Sequence, residues 1–81
     1  MDPAEIRQKV VKIIADQLNK PEVDCVDEAR FIEDLGGDSL DAVEAIMEIE
    51  DNLDIAIPDQ EAKELTTVGA LINYAIAKKA A

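Results

Sequence analysis

Hydrophobic residues recur at helical spacing in three separate stretches of the chain. In the first stretch, Asp2 and Pro3 are a typical helix start, because Asp caps free backbone N–H groups and Pro lacks the first one. The pattern ends at Asn19, two residues before Pro21. The sequence therefore predicts one amphipathic helix with one buried face. Its apolar positions are Ile6, Val10, Ile13, Ile14 and Leu18.

Residues 21–37 show no persistent period and end in two glycines, which predicts a long loop. We expect Phe31, Ile32 and Leu35 to pin this loop to the core. Asp38 then caps a second helix, and Asp41 adds a carboxylate three residues later, as in a capping box. This helix is predicted to run to about Leu53.

The last third of the chain predicts a connector, a short helical turn and a final helix. The run 54–57 is too short and isolated to pair as a strand, and the turn follows from Pro58 to Glu64. Thr66 or Thr67 caps the final helix, which carries an apolar stripe and ends in two lysines. The prediction is an all-α fold, with three principal helices plus one short helix in a single domain over residues 1–81.

The second helix carries two apolar stripes when its residues are placed about 100° apart. The broader stripe is predicted to face the core, and it consists of Ala42, Ala45, Ile46, Ile49 and Leu53. The narrower stripe is Leu40, Val43 and Met47, bordered by acidic residues. It either faces solvent or a partner, or packs under the loop 21–37. Spacing alone leaves both alternatives open.

Charge excludes one large class of partners. Nineteen acidic and eight basic residues give a net charge of −11, which repels phosphate backbones and anionic lipid heads and attracts basic proteins. We therefore expect no nucleic-acid and no membrane partner. No apolar run approaches the length of a membrane span.

The lone Cys25 cannot form an internal disulfide, which is typical of a reducing location. We expect the cytoplasm, or an organelle matrix if a transit peptide has been removed.

Enzyme and metal chemistry find little support in the residues. The chain has no histidine, and the segment around Ser39 lacks the second glycine of a nucleophile elbow. A calcium loop from Asp34 would need a ligand where Gly36 stands and a glutamate where Ala45 stands. We expect neither catalysis nor a specific metal site. Cys25 is interpreted as an incidental, half-buried loop residue.

The segment Gly37-Asp38-Ser39-Leu40 at the start of the second helix resembles the acyl carrier proteins. The likeness continues through Val43-Glu44, Ile57-Pro58-Asp59 and Thr66-Thr67-Val68-Gly69, and so spans nearly the whole chain. It implies a four-helix bundle of the acyl carrier type. It also implies that Ser39, flanked by Asp38 and Leu40, receives 4'-phosphopantetheine from a phosphopantetheinyl transferase.

The resemblance further implies that the arm carries acyl groups as thioesters between fatty-acid biosynthesis enzymes. The second helix would then be the docking surface for basic patches on these partners, and the chain would act as a monomer. The implied docking residues besides the attachment site are Asp41, Val43, Glu44, Met47, Glu48 and Asp51. Cargo is expected to fold back between the helices around Ala45, Ile46 and Leu71.

One position departs from the fatty-acid type. Gly37 stands where those carriers usually have alanine, and the pair Gly36-Gly37 is similar to peptidyl and aminoacyl carriers. Glu48 also replaces a residue that is more often small and apolar. A peptidyl, aminoacyl or polyketide carrier is therefore an alternative, as is a non-catalytic acidic structural subunit without an arm.

The charge balance predicts a response to ions. Like charges repel within the folded chain, so added salt or millimolar magnesium should raise the melting temperature. Thermal unfolding followed by circular dichroism at low and high ionic strength measures this. A melting temperature that does not change with ionic strength would contradict the prediction.

Overall fold

The computed structural model describes residues 1–80, and its secondary structure is almost entirely helical. Within these residues the one contact of β type is an isolated antiparallel bridge between Arg30 and Thr67. The prediction of three principal helices and one short helix is confirmed. In chain order the elements are α1 (Pro3–Leu18), a 3₁₀ turn (Glu22–Asp24), α2 (Ser39–Leu53), α3 (Asp59–Ala62) and α4 (Val68–Ala80).

The helix ends follow from local hydrogen bonding. The Asp2 carboxylate accepts the N–H two residues ahead at 3.0 Å, which caps α1. Asn19 closes the same helix in the left-handed conformation, with φ of 55°. At α4 the Thr67 hydroxyl accepts the N–H of Ala70 at 3.2 Å. Thr67, rather than its neighbour, is therefore the capping residue.

The core forms around α1, which packs against both α2 and α4. The predicted faces are confirmed: the apolar residues of α1 and of the broad stripe of α2 lie inside, with Leu18 and Ala42 only partly buried. Aliphatic side chains fill this interior because the chain offers a single Phe and a single Tyr. The most completely buried large side chains are Ile6, Val10, Ile14, Ile49, Leu53, Val68, Leu71 and Ile72.

The loop between α1 and α2 is pinned to the core, as predicted, but not by all the expected residues. Phe31 and Leu35 are buried. The expectation for Ile32 is wrong, because its side chain is 50% exposed at the edge of a surface cleft. Cys25 was expected to be half-buried but is 5% exposed, because the 3₁₀ turn folds its thiol inward.

Backbone hydrogen bonds tie this loop to the start of α4. The N–H of Gly69 donates to the carbonyl of Asp27 at 2.9 Å, and that of Val68 donates to Ala29 at 3.0 Å. The Arg7 guanidinium holds the same stretch from the α1 side, with 2.7 Å to the Asp27 carboxylate. This hydrogen bond lowers the pKa of Asp27 from its usual value. The loop is thus clamped between the first turns of α1 and α4.

The segment 54–57 is a connector, as predicted, and its N–H groups find partners outside any sheet. The Ile57 N–H donates to the Glu50 carboxylate at 2.7 Å. The helix that follows is shorter than predicted, because α3 ends at Ala62 and not at Glu64. After it the chain continues through tighter turns, with Glu64 and Leu65 donating to carbonyls three residues back.

The close approach at Gly69 generates a stability prediction. A methyl group at this position would lie 3.0 Å from the Asp27 carbonyl oxygen, so the backbone would have to move. Gly69→Ala should lower the free energy of unfolding by about 1–3 kcal/mol, the usual range for overpacking. Urea unfolding measures it. The control is Asn73→Ala at an exposed position of α4, which should leave the free energy of unfolding unchanged or slightly raised. Equal stability of Gly69→Ala and the unsubstituted chain would contradict the prediction.

Candidate functional site

The first turn of α2 is held by a reciprocal pair of carboxylates. The Asp38 carboxylate accepts the N–H of Asp41 at 2.9 Å, and the Asp41 carboxylate accepts the N–H of Asp38 at 3.2 Å. This is the capping box that the sequence predicted. Two free N–H groups of the helix end are thereby satisfied, and the direction in which α2 leaves the loop is fixed.

The two glycines before the cap have separate roles. Gly36 adopts the left-handed conformation, with φ of 73°, which glycine reaches without strain. Gly37 is closely packed instead: its N–H donates to the Phe31 carbonyl at 2.9 Å. A methyl group there would lie 3.1 Å from that carbonyl oxygen and 2.5 Å from the side chain of Leu18. The contact with α1 therefore favours glycine at position 37.

Ser39 is the first residue of α2, and its side chain is exposed. The first turn of a helix has N–H groups without helical partners, and the helix dipole is positive at this end. A negatively charged group attached to the Ser39 hydroxyl would lie next to them. The site therefore combines an accessible hydroxyl with a local environment suited to a phosphodiester.

The narrow apolar stripe of α2 faces solvent, which decides between the two alternatives that spacing left open. Leu40 is 63%, Val43 52% and Met47 57% exposed. The loop 21–37 does not bury them, although its residues 31–33 line a surface cleft together with Val43. A row of three exposed apolar side chains along one helix is typical of surfaces that bind another molecule.

The acidic residues around this stripe differ in their contacts. The Glu44 carboxylate accepts a hydrogen bond from the Gln17 amide at 3.2 Å, which ties α2 to α1. Asp41 is engaged in the capping box. The side chains of Glu48 and Asp51 are exposed. Within residues 1–80, neither carboxylate forms a hydrogen bond or an ion pair with another side chain. Of the predicted docking carboxylates, these two are the most available to a partner.

A cleft with a volume of about 590 Å³ opens beside Ser39, between α2 and the segment that contains α3. Its apolar lining matches the usual chemistry of a ligand pocket, and its volume lies in the usual range. Ser39, Val43 and Ile46 were singled out in the sequence, whereas Ala45 and Leu71 are core residues that do not line this cleft. The lining is Phe31, Ile32, Glu33, Ser39, Ala42, Val43, Ile46, Asp59, Ala62, Lys63, Leu65 and Thr66.

Sequence reasoning missed the half of the cleft that the loop and α3 contribute. Ile32 and Leu65 lie in segments without hydrophobic periodicity, so no pattern places them opposite α2. The sequence does contain Ile32 as an apolar loop residue, but its position next to Phe31 predicts packing in the core and not the wall of a cleft.

A second, shallower depression of about 460 Å³ lies on the loop side, where Val23 and Val26 are exposed among acidic residues.

Within the described residues, no group of three or more Cys, Asp or Glu side chains is arranged to hold a metal ion. None of the described helices combines the length and the apolar character needed to cross a membrane.

Comparisons with known proteins agree with this geometry. A family model described as "Phosphopantetheine attachment site" matches residues 8–75. The fold is also similar to a solved structure of the acyl carrier protein from Enterococcus faecalis, with a TM-score of 0.82 and 32% sequence identity. The match covers 96% of this chain and 99% of that chain.

Proposed function

Since the chain belongs to the phosphopantetheine attachment family and is an acyl carrier rather than an enzyme, we propose that it carries fatty acyl intermediates on an arm attached to Ser39. When bound, 4'-phosphopantetheine supplies a thiol that holds the acyl group as a thioester. The protein supplies the attachment hydroxyl, the surface that partners recognise and a cleft for the cargo.

The assignment of Ser39 is supported first by residue type. Ser39 is the single serine of the chain, and it lies inside the matched residues 8–75. The other hydroxyls belong to Thr66, Thr67 and Tyr74. Thr67 caps α4 and Tyr74 donates to a carboxylate, so both are engaged in holding the fold. The Ser39 side chain is exposed, and its hydroxyl takes part in no structural hydrogen bond like those of Thr67 and Tyr74.

The surroundings of Ser39 support the same assignment. Asp38 and Asp41 hold the first turn of α2, so the Cα–Cβ bond of Ser39 leaves the helix in a fixed direction. The positive end of the helix dipole stabilises a phosphodiester there, although the two carboxylates oppose it in part. The Ser39 side chain is exposed, which leaves it accessible to a modifying enzyme.

The cleft supports an aliphatic cargo. Burial of hydrocarbon contributes about 0.8 kcal/mol per CH₂, so an acyl chain is stabilised between Val43, Ile46 and Leu65. The arm begins at the edge of this cleft because Ser39 is one of its lining residues. A chain that folds back into the cleft is shielded from water until a partner draws it out.

Gly37, the residue that is similar to peptidyl and aminoacyl carriers, has a local structural role. Gly37 is packed against the end of the Leu18 side chain and the Phe31 carbonyl, so local packing contributes to the preference for glycine at this position. The remaining indications are the apolar cleft and the strongly acidic second helix, and both support the fatty-acid type.

The partners that we propose are a phosphopantetheinyl transferase and fatty-acid synthase enzymes with basic docking patches. In support, α2 contains five acidic residues and no basic one. Asp51 lies in the last turn, where a negative charge is unfavourable to the helix dipole, which suggests that recognition outweighs stability at this position. The net charge of −11 also opposes self-association, so we propose a monomer. A reducing compartment such as the cytoplasm suits the free thiol of Cys25.

Intact-mass measurement tests the attachment. The purified chain is incubated with coenzyme A and a broad-specificity phosphopantetheinyl transferase, and compared with Ser39→Ala. We expect the unsubstituted chain to gain the mass of one arm and Ser39→Ala to gain none, because no other serine is present.

Circular dichroism shows that both chains are folded before the reaction. A folded, initially unmodified chain that gains no arm would overturn the carrier proposal and favour the structural-subunit alternative. Gain of an arm by Ser39→Ala would overturn the assignment of the residue.

The exposed stripe generates a second prediction. Met47→Glu should raise the KM of the transferase for this chain about tenfold while kcat changes little, because a charge would replace a central apolar contact. Steady-state kinetics of arm transfer measures both constants.

The matched control is Val23→Glu, which places the same charge on an exposed apolar residue of the loop. We expect the control to keep the original KM. Equal effects of the two substitutions would mean that net charge, rather than the α2 surface, governs recognition.

A further inference from the structure

The segment around α3 forms one wall of the cleft, and Ile57, Ala62 and Leu65 are the apolar residues that pack it against the core. Asp59, Ala62 and Lys63 line the cleft from α3 and its end, and Ser39 and Ala42 line it from α2. The separation of these two segments therefore sets the width of the cleft. Because α3 is a single turn without a buried side chain, it is not a stable unit by itself.

The two ends of this segment are fastened by the backbone. On the N-terminal side, the buried Ile57 donates its N–H to the Glu50 carboxylate at 2.7 Å. On the C-terminal side, the Thr66 carbonyl accepts the N–H of Phe31 at 3.2 Å. Between these two fastenings, the apolar contacts of α3 and its end are those of the partly buried Ala62 and Leu65, so a side-chain hydrogen bond can add to the restraint.

One side-chain hydrogen bond restrains the middle of α3. The Tyr74 hydroxyl donates to the Glu61 carboxylate. Among the hydrogen bonds of residues 1–80, it is the one that joins a side chain of α3 to another helix. Within residues 1–80, the Glu61 carboxylate forms no other side-chain hydrogen bond or ion pair, so the position of this carboxylate depends on Tyr74.

Tyr74 is well placed to act as an anchor. It lies on α4, where its neighbours Leu71 and Ala75 are fully buried, so its backbone is fixed to the core. The Lys78 ammonium lies 5.4 Å from the centre of its ring, a cation–π distance that orients the ring. The hydrogen bond to Glu61 raises the pKa of Tyr74 to about 12, so the hydroxyl remains a donor at neutral pH.

We propose that the Tyr74–Glu61 hydrogen bond is a positioning contact that holds α3 against the cleft and thereby keeps a folded-back acyl chain shielded from solvent. This inference rests on the proposed function. Without the hydroxyl, α3 moves outward between its two fastened ends, and the thioester of a long cargo is exposed more often. A cargo too short to enter the cleft is unaffected.

Cleavage of the thioester by hydroxylamine measures this shielding. The carrier is loaded with an octanoyl or an acetyl group, and the cleavage rate of each is followed by intact mass. In the unsubstituted protein, octanoyl should be cleaved more slowly than acetyl. Tyr74→Phe keeps the ring and removes only the donor. It should speed octanoyl cleavage about two- to tenfold, the range given by one net hydrogen bond, and leave acetyl cleavage unchanged.

Two further variants separate positioning from general loss of stability. Glu61→Ala removes the acceptor and should reproduce the effect of Tyr74→Phe, and the double variant should add nothing more. Gln17→Ala is the matched control, because it removes a hydrogen bond between α1 and α2 that does not border the cleft. It should leave both rates unchanged, and thermal unfolding confirms that each variant is folded.

The outcomes separate this inference from the function on which it rests. Failure to load any acyl group would overturn the carrier proposal itself. Equal cleavage of octanoyl and acetyl in the unsubstituted protein would show that the cleft holds no cargo, which overturns both. Slow octanoyl cleavage that is the same in Tyr74→Phe would overturn the positioning contact and leave the carrier function intact.

Discussion

The placement of Ser39, the proposed attachment residue, depends on how the loop between α1 and α2 is held. This loop must travel from the end of α1 to its beginning and back before α2 starts. Backbone hydrogen bonds to the first turn of α4 and the ion pair between Arg7 and Asp27 fix its far point. Its return ends at Gly37, where an added methyl group would lie 2.5 Å from the end of the Leu18 side chain of α1. Only then does Asp38 begin α2, with Ser39 at a defined place on the surface.

The electrostatic arrangement complements this geometry. Arg7 pairs with Asp27, and Arg30 pairs with Glu33 and Asp34, so the two arginines of the chain neutralise loop carboxylates. The second helix keeps its acidic residues without a basic neighbour in its own sequence. A partner that docks on α2, as we propose, would meet negative charge concentrated along one helix, with an apolar stripe through its middle. Such a surface steers approach by charge and supplies contact area by hydrocarbon.

Much of this architecture follows from sequence because helical periodicity and capping are local. The bounds of α1 and α2, the capping box at Asp38 and the core faces depend on residues a few positions apart. The cleft could not be derived in this way, since Ile32 and Leu65 reach it from irregular segments that only the folded chain brings together. The same limit applies to the exposed stripe, because spacing shows that Val43 and Met47 share a side but not what covers it. The contact of Tyr74 with Glu61 joins a helix to a single turn whose position has no sequence signal.

The burial of Cys25 has a consequence for how many groups one molecule transports. Its thiol is enclosed by the loop, and burial, together with the nearby Asp24 and Glu22 carboxylates, raises the pKa of the thiol above its usual value. It is therefore a poor nucleophile that acyl donors do not reach. Under the proposed function, the thiol at the tip of the arm would then have no competitor on the same molecule. The loop that positions Ser39 would thereby limit loading to one acyl group per chain.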